Sequence, residues 1–364
     1  MNQNVSKLQS LLKHFPLHQE ISYCFAYGSG VFEQNLASSN KLNQNNRIQN
    51  ESRKTKMIDL VFSVKDPIKW HQANLEQNRS HYSGLKYLGA KRIAEFQENF
   101  GGKIYYNTLV RIDADTVIKY GIISDNDFIN DLLDWETLYI SGRLHKPTAL
   151  LKGPDRNDTE LFHRVQNSFQ TNLQSALHAS FLLLSERFTE EQLYLSIAGL
   201  SYSGDFRMWF GEDRSKVLKI VRPQVENFHK IYDPIICSDR FKNLVIKQSG
   251  IDCYQQDCSL ETIRWHLNLL PKNVQLNIGE RWLSENTRQR YRINQNRFDM
   301  NDLMRTVSLD CEYRRYVRKA IEKIVLQSSI VQTIKGFLTA GPTKSLIYSA
   351  NKIEKMFKSL ISTR

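Results

Sequence analysis

The feature that most constrains this chain is a run of aromatic residues that stops at a glycine-rich turn. Tyr23-Cys24-Phe25-Ala26-Tyr27 is rich in strand-forming side chains and predicts a buried β-strand. Gly28-Ser29-Gly30 follows at once, and two glycines around a serine let backbone N–H groups and a hydroxyl approach a phosphate without obstruction by a Cβ atom. A helix beginning near Val31 would add the partial positive charge of its N-terminus. The stretch therefore predicts a phosphate-binding turn at the end of a core strand.

A second strand is predicted at residues 57–64, where an apolar run contains a single acid, Asp59. A carboxylate among strand-forming residues costs free energy unless it is paired or binds a metal ion. A phosphate-binding turn followed by a carboxylate on the next strand is typical of nucleotidyltransferases with a polymerase-β-like domain. We therefore expect Asp59 to lie beside a bound phosphate.

The charge of the chain restricts its partners. Its 364 residues carry a formal charge of +12, which favours nucleic acid, nucleotides or an anionic membrane surface. The length suggests two domains and a tail. The five cysteines lack zinc-finger spacing, which favours reduced thiols, and no apolar run approaches the length of a transmembrane helix. We expect a protein that can lie on a membrane without crossing it.

The C-terminal tail is basic and amphipathic. Residues 329–364 contain six Lys and Arg residues against one Glu. From residue 342 onward the pattern predicts a helix with one apolar stripe, formed by Leu346, Ala350, Ile353, Phe357, Leu360 and Ile361. Such a helix either packs against its own domain or lies on an anionic membrane, where each lysine adds about 1 kcal/mol. The terminal position and the lysine content favour the membrane.

A pair of strands at residues 104–112 and 116–124 carries charged residues with two interpretations. Asp113 and Asp115 lie at the tip between the strands, and we favour a turn over a metal site because Asp is a preferred turn residue. Lys119, inside the second strand, faces either solvent or an anion in a cleft.

Two segments further along are given simple structural interpretations. A helix is predicted at residues 127–141, and the basic residues of 142–147 are interpreted as its solvated end. Residues 217–221 are predicted to form a strand within an otherwise helical region. Helices around a small hairpin indicate a winged-helix-like module.

Several longer stretches together resemble one family. They are Phe25-Ala26-Tyr27-Gly28-Ser29-Gly30-Val31, Asp59 with Asp66-Pro67 and Trp70-His71, His81-Tyr82-Ser83, Tyr105-Tyr106-Asn107, Lys119-Tyr120-Gly121, Leu138-Tyr139-Ile140 with Gly142-Arg143-Leu144, and residues 198–208. The family is that of the mitochondrial phosphatidate cytidylyltransferases of the translocator-assembly-and-maintenance type. The resemblance extends from about residue 8 into the tail.

The resemblance implies a reaction and an architecture. CTP and phosphatidic acid would give CDP-diacylglycerol and pyrophosphate with Mg²⁺, feeding phosphatidylglycerol and cardiolipin synthesis. The implied fold is α+β, with a nucleotidyltransferase domain at residues 1–150, a helical, winged-helix-like domain at 151–328 and a membrane-associating tail at 329–364. The implied location is the matrix face of the mitochondrial inner membrane, with peripheral attachment.

The metal site inferred from this resemblance has one assigned carboxylate and a second ligand that remains to be assigned. Asp59 would hold Mg²⁺, and the superfamily usually places a second acid two residues later, where this chain has Val61. We expect Asp205 to be the second metal ligand, with Asp66 as the next candidate.

The remaining site residues follow from the same resemblance and from the chemistry of phosphate. Gly28, Ser29 and Gly30 would hold the triphosphate, and Lys119 would neutralise its charge. Arg207 would take a lipid phosphate or the triphosphate, unless it forms a structural ion pair with Asp205. Tyr27 and Tyr202 are candidates to contact the nucleotide, and Tyr202 has packing in the core as its alternative.

Other functions remain open at this point. A nucleotidyltransferase that acts on RNA or another small acceptor would also fit the positive charge, although no basic groove with interleaved aromatic residues indicates nucleic-acid binding. A non-enzymatic membrane-associated maintenance factor would fit the absent second acid.

Overall fold

The computed structural model of the protein describes residues 2–32, 57–210, 215–248, 253–286 and 299–362. The first half comprises α1 (Asn2–Ser10), β1 (Ile21–Tyr27), β2 (Ile58–Val64), α2 (Pro67–Gln77), α3 (Gly89–Asn99), β3 (Tyr105–Arg111), β4 (Val117–Ser124), α4 (Asp125–Asp134), α5 (Ser141–Leu144) and β5 (Ala149–Lys152). The strands predicted before the glycine-rich turn and around Asp59 are confirmed. Any helix that continues beyond Phe32 lies outside the described residues.

The strands form one mixed sheet in the order β3-β4-β2-β1-β5. Strands β2 and β4 run parallel, while the other neighbours are antiparallel. Both faces of the sheet are covered, since Phe62 and Tyr120 pack with Trp70 of α2 on one face and Phe25 and Val61 pack with α4 on the other. Burial on both faces explains why these strands appear in the sequence as continuous apolar runs.

The second half is mostly helical and has its own core. It comprises α6 (Thr159–Leu183), β6 (Arg187–Phe188), α7 (Glu190–Gly199), α8 (Arg207–Phe210), α9 (Lys216–Val221), α10 (Val225–Ile236), β7 (Val245–Lys247), β8 (Tyr254–Gln256), α11 (Leu260–Asn268), α12 (Lys272–Glu285), α13 (Met300–Ser308) and α14 (Tyr313–Ser362). A small sheet in the order β6-β8-β7 lies among these helices. The α+β class is confirmed.

The last helix, α14, contacts both halves. It packs on α12 and α6 of the second half, and further along it reaches the segment after α3. There Gln332 accepts a hydrogen bond from the Gly102 N–H at 3.0 Å. Lys335 is almost fully buried and donates to the carbonyl oxygens of Gln97 and Phe100 at 2.8 and 2.9 Å. The side chains of the predicted apolar stripe lie outside the described residues, and no described helix is long and apolar enough to cross a membrane.

The helix predicted at residues 127–141 is two helices. Helix α4 ends at Asp134, and the next residue, Trp135, has a left-handed φ of 50°. The carboxylate of Asp131 then accepts hydrogen bonds from the backbone N–H groups of Leu138, Ile140 and Ser141, which holds the connecting turn. A side chain that satisfies the backbone in this way offers the chain an alternative to a continuing helix.

The strand predicted at residues 217–221 is wrong. These residues belong to helix α9, whose Ile220 and Val221 are buried in the helical core. The prediction relied on β-branched residues, but strand propensity is weaker than the packing that surrounds a short segment.

Candidate active site

The glycine-rich turn closes directly beside Asp59. Tyr27, the last residue of β1, pairs with Asp59 of β2. Gly28 has a φ of 81°, and a Cβ atom placed on it would lie 3.4 Å from Oδ2 of Asp59. The Gly28 carbonyl accepts hydrogen bonds from the N–H groups of Val31 and Phe32, while Ser29 is exposed. The turn therefore presents its backbone and one hydroxyl at the edge of the sheet where the carboxylate lies.

Gly30 packs against the start of the next strand. A Cβ atom at this position would lie 2.4 Å from the carbonyl oxygen of Met57 and 3.1 Å from the Cα atom of Ile58. Because both neighbours are backbone atoms, the turn has its observed position only when residue 30 is glycine.

Lys119 lies in the site rather than facing away from it. The parallel register of β2 and β4 places Lys119 opposite Asp59, with Nζ 3.7 Å from Oδ1. Both side chains are mostly buried, with exposed fractions of 15 % for Lys119 and 22 % for Asp59. The ammonium group also lies 4.3 Å from the centre of the Tyr106 ring. One carboxylate and one cation are thus held side by side next to the turn.

Tyr27, which the sequence predicts as a site residue, forms a wall of the site together with Tyr106, Tyr139 and Arg143, which it does not predict. The hydroxyl oxygens of Tyr27 and Tyr106 are 3.2 Å apart. Arg143 of α5 lies over two rings, 3.8 Å from the centre of Tyr139 and 5.2 Å from that of Tyr27. These distances allow cation–π attraction and fix the guanidinium group.

Positive charge converges on this wall. Burial raises the pKa of the Tyr27 and Tyr106 hydroxyls. Burial would raise the pKa of Tyr139 as well, yet the charges of Arg143, Lys119 and Arg207 lower it overall. Three cations from separate parts of the chain thus act on Tyr139, which makes this an environment suited to anions.

Arg207 and Asp205 form a partly buried ion pair. The Arg207 Nε–H lies 2.9 and 3.1 Å from the two carboxylate oxygens of Asp205, and Nη2 lies 2.5 Å from Oδ2. Asp205 is almost fully buried. The sequence analysis left this ion pair as the alternative to separate roles for Asp205 and Arg207. In the structure one guanidinium group contacts both oxygens of the carboxylate.

The other acids considered from the sequence have structural partners. The Asp66 carboxylate accepts a hydrogen bond from the Lys69 N–H at 3.0 Å and caps helix α2. Asp113 accepts from the Asp115 N–H at 2.9 Å, which is the turn favoured above. Val61, where a second acid is usual, is fully buried in the core.

The donor set fits a magnesium ion that is shared with a substrate. Within the residues that the structure describes, no group of three or more His, Cys, Asp or Glu side chains could hold a metal alone. Magnesium is often bound by one or two carboxylates together with substrate phosphates. Asp59, beside a turn suited to phosphate, matches that arrangement with one carboxylate.

Tyr202, in the second half of the chain, lies near two lysines. The Nζ atoms of Lys146 and Lys216 lie 5.2 and 5.5 Å from its ring centre. Lys146 also donates a hydrogen bond to Oγ of Ser201 at 2.9 Å. The basic segment 142–147 is therefore not a solvated helix end. Its glycine, arginine and lysine form part of the site wall, although the sequence analysis interpreted the basic residues around Gly142 as solvated.

Comparison with known proteins gives matches of the same description over nearly the whole chain. A family model described as mitochondrial phosphatidate cytidylyltransferase matches residues 8–355. The mitochondrial phosphatidate cytidylyltransferase of Xenopus laevis is 42 % identical over 354 residues, which cover 97 % of this chain and 95 % of its own length. Proteins of the same name from Danio rerio and Mus musculus are 41 % and 39 % identical, and cover 96 % and 98 % of this chain and 94 % and 96 % of their own lengths.

Proposed function

This chain belongs to the family of mitochondrial phosphatidate cytidylyltransferases, and we propose that it transfers CMP from CTP to phosphatidic acid at the site around Asp59. The products are CDP-diacylglycerol and pyrophosphate. The observation that supports the location is the junction of the phosphate-binding turn with Asp59 and Lys119, all at one edge of the sheet.

The chemistry requires charge neutralisation more than proton transfer. A phosphate oxygen of phosphatidic acid attacks the α-phosphorus of CTP, a new P–O bond forms, and the bond to pyrophosphate breaks. The attacking oxygen is already anionic, so no strong general base is needed. Two polyanions must instead be held together while negative charge develops on the leaving group.

The residues around the turn meet that requirement. The backbone N–H groups of residues 28–30 and the Ser29 hydroxyl bind the triphosphate. Asp59 would hold Mg²⁺, which when bound neutralises phosphate charge and stabilises the leaving group. Lys119 adds a second positive charge 3.7 Å from the same carboxylate, and Arg143 adds a third from α5. Tyr27 lies between the turn and Arg143, where it would contact the nucleotide.

Asp205 and Arg207 act as a pair in this proposal. The metal-binding role of Asp205 stays a prediction, and its bidentate contact with Arg207 supports a positioning role instead. A guanidinium group fixed by one carboxylate keeps its remaining N–H donors in a defined plane, which suits binding to phosphate.

The membrane contact and the location are also proposals. We infer that the tail after residue 336 binds an anionic membrane surface, which would bring phosphatidic acid to the site. The relatives are named as mitochondrial, and a peripheral position on the matrix side of the inner membrane would supply both CTP and the lipid.

A direct assay tests the function. Radiolabelled CTP is incubated with the purified protein and liposomes containing phosphatidic acid, with and without Mg²⁺, and lipid-bound label and pyrophosphate are measured. We expect both products with Mg²⁺ and neither without it. Asp59→Asn should abolish transfer, whereas Asp113→Asn, an equivalent change at the exposed hairpin tip, should leave it intact.

The same assay distinguishes the alternatives. Label transferred to added RNA, with none in lipid, would identify a nucleotidyltransferase with another acceptor. The absence of pyrophosphate under every condition would indicate a non-enzymatic maintenance factor and overturn the proposal.

A further inference from the structure

Around Lys146 the structure contains a group of cations that the turn and Asp59 do not account for. Lys146 donates to the Ser201 hydroxyl at 2.9 Å and to the carbonyl oxygen of Gly142. The Nζ atom of Lys216 lies 5.5 Å from the centre of the Tyr202 ring, and that of Lys146 lies 5.2 Å from it. Arg143 lies three residues before Lys146 in the sequence.

Arg143 and Lys146 lack a negative partner in the described parts of the chain. Neither residue has a carboxylate within ion-pair distance there, and Nε of Arg143 is buried without a hydrogen-bond partner. Burial, with a smaller contribution from the charges of Arg143 and Lys216, lowers the pKa of Lys146 to about 7. Like charges held together out of water are costly, and an anion that binds among them removes that cost.

The positions of these groups are fixed before any ligand arrives. A Cβ atom on Gly142 would lie 2.3 Å from Cβ of Ser201, so only glycine allows the two segments to approach this closely. The close approach places the Ser201 hydroxyl within reach of Lys146. The guanidinium group of Arg143 is held against the rings of Tyr139 and Tyr27. Because these groups are already ordered, binding of a ligand does not have to offset the entropy cost of ordering them.

We propose that Lys146, Ser201 and Lys216 bind the phosphate monoester of the acceptor lipid. The inference rests on the function proposed above and assigns its second substrate to a place. The triphosphate already has the turn and Lys119, and Arg143 lies 5.2 Å from the Tyr27 ring beside the turn and three residues before Lys146 in the sequence. Two phosphate groups on either side of one guanidinium would be brought together as the reaction requires.

The substitution that tests the site is Lys146→Met, which keeps most of the side-chain length and removes the charge. We expect kcat/KM for phosphatidic acid to fall on the order of 10- to 100-fold, as for the loss of a hydrogen bond to a charged group, while the Kd for CTP changes less than about twofold. The matched control is Lys69→Met, at an exposed position of helix α2, with both parameters unchanged. A loss of CTP affinity without a change for phosphatidic acid would assign the site to the triphosphate and overturn the proposal.

Direct binding separates this proposal from the proposed function. Without CTP, titration calorimetry should show that a water-soluble short-chain phosphatidic acid binds the wild-type protein and that the matching diacylglycerol does not. At pH 7.5, binding should be accompanied by proton uptake that is absent in Lys146→Met, because a phosphate raises the pKa of the ammonium group beside it.

If Lys146→Met fails to fold, the milder variant Ser201→Ala replaces it in the test. Ser201→Ala should weaken the binding of phosphatidic acid severalfold. Binding of phosphatidic acid without CMP transfer would leave this site in place while the proposed reaction fails. Equal affinity of wild type and both variants for phosphatidic acid would refute the site.

Discussion

Replacing Gly30 by alanine tests the phosphate-binding turn with a single methyl group. The new Cβ atom would lie 2.4 Å from the carbonyl oxygen of Met57 and 3.0 Å from its carbonyl carbon. Both contacts are to backbone, so no side chain can rotate away, and either the turn or Met57, the residue before β2, must move. Gly30 does not have a positive φ, so the effect comes from packing alone.

The size of the effect follows from that contact. Carbon–oxygen contacts are normally no closer than about 3.3 Å, so the backbone must shift by roughly 0.9 Å. Overpacking of this kind costs about 1–3 kcal/mol of stability. A displacement of about 1 Å in a group that positions a substrate can reduce the rate on the order of 100-fold. Activity should therefore fall much further than stability.

The experiment compares Gly30→Ala with Gly153→Ala. A Cβ atom on Gly153 meets nothing within 4 Å, so this variant carries the same chemical change without the contact. CMP transfer gives kcat/KM for CTP, and urea unfolding gives the free energy of unfolding. If Gly30→Ala retains the wild-type kcat/KM, the turn does not hold the triphosphate and the assignment of the site is wrong.

Three further predictions concern pH, the docking of α14 and the tail. Burial lowers the pKa of His71 to about 4 and that of His145 to about 3, so both side chains are neutral in the folded protein. Because the unfolded chain binds protons at these residues between pH 7 and pH 5 and the folded protein does not, each histidine should lower the free energy of unfolding by about 2 kcal/mol over that range. Urea unfolding at the two pH values measures the loss, and a free energy of unfolding that does not change with pH contradicts the prediction. Lys335→Met removes two hydrogen bonds to the end of α3 and should speed hydrogen exchange at residues 97–102, unlike Lys323→Met on the exposed side of α14. Deleting residues 340–364 should weaken binding to anionic liposomes and leave CTP affinity unchanged, whereas unchanged liposome binding would favour packing of the tail on its own domain.

Local signals in the sequence were sufficient for the centre of the fold. The aromatic strand, the turn after it and the strand around Asp59 each depend on residues within a few positions of one another. Asp59 was identified because a lone acid in an apolar strand needs a partner. The partner is Lys119. The sequence analysis placed Lys119 on a strand, but it did not show that this strand is the parallel neighbour of β2.

The missed residues depend on contacts between distant segments. Tyr106, Tyr139 and Arg143 look like ordinary core and surface residues in the sequence, and they form a wall only once β3 and α5 approach the turn. The basic segment after Gly142 has the composition of a solvated helix end. Its burial depends on Ser201, far along the chain, which no local pattern reveals.

The close approach of Gly30 to Met57 brings together the two ends of the polar stretch that separates them in the sequence. The entropy of closing a loop grows only with the logarithm of its length, and each doubling costs about 0.6 kcal/mol. Changing the number of residues between Gly30 and Met57 should therefore change the free energy of folding little. The same position is suited to the insertion of a fluorescent reporter domain next to the proposed nucleotide site.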